Sequence, residues 1–315
     1  MANVTIIRPQ SHKEWLEIRK SGIGSSEVAT IVGLNPYETP YQLWRRKVGI
    51  DEPKQENAAM RYGHHLEDAV SRMWHDSTGR EIIKRSAIDW IIRDNERPYL
   101  QVSPDRTYWL GDSRSPEEKG ILEIKTTRMK VDPTDLPKYW FCQIQYQLGV
   151  AGYKEGSLAW LSAGQGFDFG YVDLKFIPDF YEFLIDAVSK FWTDNILGKQ
   201  EPDSVSTADV VMKFDRHIDK KTIECNEEVF EAYSKLKDVK KEITALTERK
   251  EILEGTLKMA FGDAEALSYG GDTIATWKAP KPSMKFDQKK FLAENKDLAL
   301  PYMHQVQGSR TLLLK

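Results

Sequence analysis

The sequence predicts an α/β (α+β) fold, a mixed sheet flanked by helices, followed by a coiled-coil helix and a small β/α tail. Three observations carry this. Helical patterns fill the chain as far as Gly79, and a block of short apolar strands follows. A helical run then returns and stops at Gly198, the order expected of helices layered on a sheet. Beyond residue 224 apolar side chains recur every seven residues, the period of a coiled coil.

Taken in order, residues 11–20 read as an amphipathic helix capped by Ser11, with Glu14 as its capping-box partner. Gly22-Ile-Gly-Ser-Ser-Glu-Val is a glycine turn feeding a second helix, with Ser25 or Ser26 as N-cap. Asn35-Pro36-Tyr37 makes a turn, and Tyr41–Lys47 a third short helix. Residues 57–79 form a longer helix closed by Gly79. Strands are expected at 81–93, 99–103, 107–110 and 121–126, a helix at 137–151, strands at 157–162 and 168–176, and a helix at 178–197. Residues 199–224, with Pro202 and scattered Ser, Thr and charge, read as a linker. A helix at 225–261 then carries Val229, Leu236, Ile243 and Leu257 at one heptad position and Val239, Leu246 and Leu253 at the other; Lys250 interrupts the first. A Gly270-Gly271 turn between short strands, a helix near 287–294 and a final strand ending in Thr311-Leu-Leu-Leu complete the tail. The division is therefore a domain at 1–198, a linker at 199–224 and a tail at 225–315.

At 315 residues there is room for one large domain and a smaller one, and 40% hydrophobic with 11% aromatic residues excludes global disorder. A formal charge of −3 argues against a protein that coats nucleic acid, though not against a local grip. Basic clusters occur at Arg19-Lys20, Arg45-Arg46-Lys47, Lys84-Arg85, and Lys125 with Arg128 and Lys130; short charge runs are usually solvated faces. Cys142 and Cys225 make neither a disulfide framework nor a zinc spacing. The N-terminus does not look like a signal peptide, and no apolar run approaches the roughly 18 residues needed to span a bilayer. A reducing cytoplasm and no membrane are the expectation.

The chemistry concentrates in Ser103-Pro104-Asp105 and, eighteen positions after Asp105, Glu123-Ile124-Lys125. Most isolated Glu-x-Lys triplets are surface charge. Here Leu100–Asp105 reads as a strand ending in a proline turn, Arg114–Lys119 as a polar loop, and Gly120-Ile-Leu-Glu-Ile as the next strand, so antiparallel pairing would bring Asp105 and Glu123 together. On a strand, side chains at i and i+2 share a face. Glu123 can then hold a divalent ion while Lys125 orients a water, with Ile124 turned into the core and its carbonyl left for the metal. Mg²⁺ suits such a site because it takes hard oxygens and only one or two carboxylates. Such an ion activates water and neutralises phosphoryl charge.

These motifs, in this order, resemble the YqaJ-type viral recombinase nucleases, relatives of phage lambda exonuclease within the PD-(D/E)xK restriction-endonuclease-like fold. The matching segments are Trp15–Arg19 with Gly22-Ile-Gly-Ser-Ser-Glu-Val, Gly63-His-His-Leu-Glu67-Asp-Ala, Ser103-Pro-Asp105, Leu122-Glu123-Ile-Lys125 and Tyr139-Trp-Phe-Cys-Gln143-Ile-Gln145. The resemblance covers residues 10–198 strongly and the tail loosely. It implies that Asp105, Glu123, the Ile124 carbonyl and Glu67 bind two Mg²⁺ ions, with Mn²⁺ able to substitute. Lys125 would position or activate the water, and Gln143 would stand in the active site. Arg19 and Ser26 would grip a 5′-phosphate, with Ser25, Arg106 and Gln145 among the DNA contacts. A guanidinium beside a hydroxyl at a helix N-terminus is sound phosphate chemistry. One departure is Arg106, where the family usually has glycine; a turn needing positive φ there would be strained, or the guanidinium could itself contact phosphate.

The implied activity is a 5′–3′ exonuclease on double-stranded DNA ends, leaving 3′ single strands for phage-type recombination in a bacterial host cytoplasm. Implied partners are DNA ends, a single-strand annealing recombinase and further copies of the chain. The rivals are a structure-specific or end-independent endonuclease of the same fold and a non-catalytic end-binding scaffold. Three apparent motifs carry nothing. His65-Leu-Glu67 lacks the Pro-Cys-x-x-Cys of zinc deaminases, Gly22-Ile-Gly24 follows no strand, and His64 and His65 read as helix-surface residues. Trp109 and Trp140 are core by default, with base contact as the alternative.

Overall fold

A five-stranded mixed sheet organises the first of two units, Met1–Lys213; the second is Phe214–Lys315. The structure is a computed structural model that describes all residues except 1–2, 53–56, 84–89, 113, 116–117, 165, 306–307, 309 and 315. The first unit runs β1 (Val4–Ile7), α1 (His12–Lys20), α2 (Ser25–Ile31), α3 (Pro40–Lys47), α4 (Ala58–Thr78), β2 (Ile82–Ile83), β3 (Ile91–Asp94) and β4 (Gln101–Val102). It continues with β5 (Arg106–Trp109), β6 (Lys119–Thr127), α5 (Lys138–Ala151), β7 (Glu155–Ser162), β8 (Asp168–Lys175), α6 (Pro178–Lys190) and α7 (Thr207–Lys213).

The main sheet has the order β2-β5-β6-β7-β8, antiparallel throughout except for the parallel β6–β7 pair, which α5 connects. A strand pair at the centre of such a sheet is covered on both faces. Ile121, Leu158 and Trp160 pack with Ile144 and Leu148 of α5; Leu122, Ile124, Ala159 and Leu161 pack with Val70 and Trp74 of α4. The period-2 alternation of β6 therefore sends Glu123 and Lys125 towards the α5 side. A second antiparallel sheet, β1-β3-β4, receives the turn before α2. Ile23 N–H donates to the Tyr99 carbonyl at 2.7 Å, and Gln101 N–H to the Ile23 carbonyl at 3.2 Å. This approach requires Gly22, because a Cβ there would stand 2.1 Å from Gln101 Nε2 and 2.5 Å from the Tyr99 carbonyl oxygen.

Several expectations are met closely. Asn57 caps α4 and Gly79 ends it at φ 68°. Others are corrected. The expected 81–93 strand divides between the two sheets as β2 and β3, and Lys84-Arg85 lies outside the described residues. The N-cap of α2 is Gly24 rather than Ser25 or Ser26, since the Glu27 carboxylate accepts the Gly24 N–H at 2.9 Å and both hydroxyls turn to other partners. Glu14 reaches Gln10 N–H rather than closing a box on Ser11. The expected 178–197 helix is α-helical only to Lys190 and widens to a π-helix over Phe191–Leu197, where Trp44 Nε1–H donates to the Asn195 carbonyl.

The linker is shorter than composition suggests. Fully buried Asp209 of α7 accepts Thr39 Oγ–H at 2.7 Å and the N–H groups of Val205 and Ser206 at 3.1 Å, fastening this segment to the first unit. The second unit holds α8 (Glu227–Phe261), the hairpin β9 (Ala266–Tyr269) and β10 (Asp272–Thr276), α9 (Gln288–Glu294) and α10 (Lys296–Ala299). Gly270 and Gly271 both have positive φ, as a two-residue hairpin turn needs. Residues 310–314 form no strand, contrary to expectation.

Asp209→Ala should destabilise the first unit by about 1–3 kcal/mol, because three donors lose their fully buried acceptor. Thermal melting of fragments 1–213 and 1–200 is the check: the shorter one, lacking α7, should melt at the lower temperature.

Candidate active site

Antiparallel pairing sets Arg106 opposite Leu122, and so brings Asp105 beside Glu123. Asp105 Oδ2 accepts the Ile124 N–H at 2.7 Å, while the Ile124 side chain is buried on the α4 side. The turn that carries Asp105 is held from α1: Trp15 Nε1–H donates to Ser103 Oγ, which donates to the Trp90 carbonyl at 2.6 Å.

Glu123 is 1% exposed and takes three donors. Its Oε1 accepts Lys125 Nζ at 2.6 Å and Gln143 Nε2 at 2.5 Å; its Oε2 accepts Gln147 Nε2 at 2.8 Å. Lys125 Nζ also donates to Gln143 Oε1 at 2.9 Å. Gln143 and Gln147 are one helical turn apart on α5 and so share a face. Gln147 Nε2 further reaches Ser25 Oγ at 3.2 Å, and its buried Oε1 has no hydrogen-bond partner among the described residues. Burial opposes the Lys125 ammonium, but Glu123 and Asp105 outweigh it and raise its pKa, so Lys125 is a fixed cation at neutral pH. Asp105 goes the other way: burial, then the charges of Glu123 and Glu67, push its carboxyl well above the usual range.

Glu67, on α4, sits under the Arg106 guanidinium, 3.5 Å from Nη1, while Nη2 donates to Asp68 at 2.5 Å and Nη1 to the Asp105 carbonyl at 2.6 Å. Arg106 is not in the left-handed region, so its backbone carries no strain of the kind a glycine would relieve. Its role here is to counter a carboxylate cluster. His64 lies exposed, 3.0 Å from Glu67, and His65 is exposed as expected.

Arg19 and Ser26 are together: Arg19 Nη2 donates to Ser26 Oγ at 3.2 Å, and the guanidinium lies 4.5 Å from the Trp15 ring. Ser25 is buried and turned inward to Gln147. The Arg45-Arg46-Lys47 run is not a solvated basic face. Arg45 pairs with Asp51, Arg46 with Glu38 and Glu27, and buried Lys47 with Glu27 at 2.8 Å.

Gln145 is not brought to the site. Fully buried, it donates to the Lys175 carbonyl and accepts the Ile177 N–H, both at 2.9 Å, tying β8 to α6. The residue missed by sequence reasoning is Gln147. Its signal was legible, because on a helix the partner of Gln143 is four residues away, whereas i+2 points elsewhere. Trp140 is a core residue, and Trp109 carries Lys119 5.0 Å above its ring.

Among the described residues no three His, Cys, Asp or Glu side chains form a ready metal cage. Mg²⁺ needs fewer, since it keeps several waters. Burial first, and then the charges of Glu123 and Glu67, oppose a charged Asp105, a load that a divalent cation would relieve, so Asp105 with Glu123 fits such an ion.

The sequence model of the YqaJ-like viral recombinase domain matches residues 14–154. YqaJ of Bacillus subtilis, itself uncharacterised, is 30% identical over 293 residues, 89% of this chain and 87% of that protein. Among solved structures, the alkaline exonuclease LHK-Exo of Laribacter hongkongensis is similar over 59% of this chain and 93% of its own, at 16% identity and TM-score 0.47. A phage-related exonuclease of Haemophilus somnus is similar over 57% and 96%, at 11% identity and TM-score 0.41.

Asp105 generates a stability test with a definite sign. Its folded pKa is raised, so the native state loses stability as pH climbs from the ordinary carboxylate range through that higher value. In EDTA, Asp105→Asn should therefore raise the melting temperature at neutral pH and change nothing below the unfolded carboxylate range. Added Mg²⁺ should stabilise the wild type, which binds it when folded, and not the variant. Equal melting curves for the two proteins in a neutral EDTA buffer would show that the carboxyl is not under this electrostatic load.

Proposed function

The chain belongs to the YqaJ-like viral recombinase family, and from that membership and the site just described we propose a divalent-metal-dependent 5′–3′ exonuclease acting on double-stranded DNA ends. The observation that carries the proposal is the convergence of Asp105, Glu123 and Lys125 where the start of β5 meets the middle of β6. On this reading Asp105, Glu123, the Ile124 carbonyl and Glu67 would hold Mg²⁺, or Mn²⁺ in its place, supplying water activation and charge neutralisation for phosphodiester hydrolysis.

The chain's own groups do the rest. Lys125, held protonated by its carboxylate neighbours, presents an ammonium that orients water and offsets charge on a phosphoryl oxygen. Asp105 must lose its proton to act, which favours turnover at higher pH. Gln143 and Gln147 fix the Glu123 rotamer, as partners behind a ligand commonly do. Arg19 and Ser26 offer a fork of donors and a hydroxyl for the phosphate at a 5′ end. The product would be 3′ single-stranded DNA, the substrate of a single-strand annealing partner.

Linear duplex labelled at the 5′ or the 3′ end, digested with Mg²⁺ or EDTA, tests the reading. Metal-dependent loss of the 5′-terminated strand is expected, with 5′-phosphorylated ends cut faster than 5′-hydroxyl ends. Arg19→Ala should erase most of that preference. Cutting of covalently closed circles would mean an endonuclease, and DNA binding without cleavage a scaffold.

Glu123→Gln should abolish hydrolysis. Because it also removes the carboxylate that pairs with half-buried Lys125, its folding must be checked by melting. Gln147→Leu should slow turnover about 10–100-fold with duplex affinity retained; an unchanged rate would make its contact with Glu123 incidental.

A further inference from the structure

Nothing in that chemistry uses α8, a helix of 35 residues, about 52 Å long. Its heptad seam runs from Val229 to Ala260, with Lys250 as the one charged residue in it. The larger apolar residues along it, from Val229 through Leu257, are 37–63% exposed. A continuous apolar stripe of this length calls for a covering surface.

We propose that α8 pairs antiparallel with α8 of a second copy of this chain, about a two-fold axis between Ile243 and Leu246. In that register every seam residue has a partner of the other heptad position: Ile243 meets Leu246 of the second copy, Leu236 meets Leu253, and the small Ala260 and Ala232 meet Val229 and Leu257. Large against small fills each layer. Sliding either helix by a heptad leaves seam residues uncovered at the ends.

Parallel pairing fails on both packing and charge. It would set Ala232 against Ala232 and Ala260 against Ala260, leaving thin layers, and would face Lys250 with Lys250 in the seam. It would also place Lys235 opposite Lys240, at positions that set helix orientation. The antiparallel register avoids all of these. Lys250, which reaches Glu254 of its own helix at 3.4 Å, lies opposite Val239, where its stem can pack and its ammonium reach water. Glu242 then faces Arg249 of the second copy, and the two-fold axis repeats that pair.

Sedimentation equilibrium of the full-length chain tests this. The wild type should form a two-chain species. Glu242→Arg and Arg249→Glu should each weaken association about tenfold, since each turns two attractive pairs repulsive. Together they should restore it. A double variant as weak as Arg249→Glu alone would show parallel pairing, where Arg249 faces Glu254, and would overturn the proposal. So would a monomeric wild type, which would leave the seam to another protein, a larger assembly, or association that neither change affects.

Discussion

The structure of the first unit turns on burying one carboxylate. Glu123 stands on a strand covered from both faces, so its charge must be met from inside the protein. Lys125 meets it along the strand, and Gln143 and Gln147 from the helix that crosses between β6 and β7. That requirement explains why α5, almost wholly buried, carries amides where a core helix would otherwise carry leucine. It also explains why the alternation of β6 cannot slip: a one-residue shift would drive Glu123 and Lys125 into the Leu122 and Ile124 face. Packing and chemistry are thus set by one register.

Around that carboxylate the charges are arranged to conflict. Lys125 is satisfied, while half-buried Asp105 stands beside two other acids and accepts the Ile124 N–H. Arg106 counters the outer acids, Glu67 and Asp68. A local excess of negative charge is a cost to folding and an asset to a site that recruits a cation. The basic residues that composition might have assigned to DNA do not compete for this role. Arg45, Arg46 and Lys47 are consumed by Asp51, Glu38 and Glu27, and they brace α2 and α3 instead.

Much of this was legible in the sequence. Asp105 and Glu123 could be paired because a proline turn and an apolar strand bracketed them, and the end of α4 could be set because Gly79 is a strong terminal signal. What was not legible depended on tertiary partners. Ser25 looked like a cap until Gln147 claimed its hydroxyl and Glu27 took the capping task. Gln145 looked like its neighbour Gln143, but a helix turns 100° per residue and sends it to the β8–α6 junction. The segment after Gly198 looked like a linker because its anchor is one polar residue, Asp209, which no apolar period reveals.

The two serines of α2 join these strands. Ser26 faces Arg19 at the exposed end, and Ser25, one residue earlier, faces inward to Gln147 and through it to Glu123. On the proposed reading, one helix N-terminus would then touch both the phosphate being gripped and the carboxylate that does the chemistry. A displacement of α2 is resisted by Gly22 packed on Gln101 and by the Ile23 bridge to the Tyr99–Gln101 strand edge. On the same reading, backbone hydrogen bonds at Ile23 would help to hold the distance between grip and cleavage. A rigid spacing of that kind suits stepwise removal of one nucleotide at a time, because the terminal phosphate and the scissile one must both be in place before either set of residues can act.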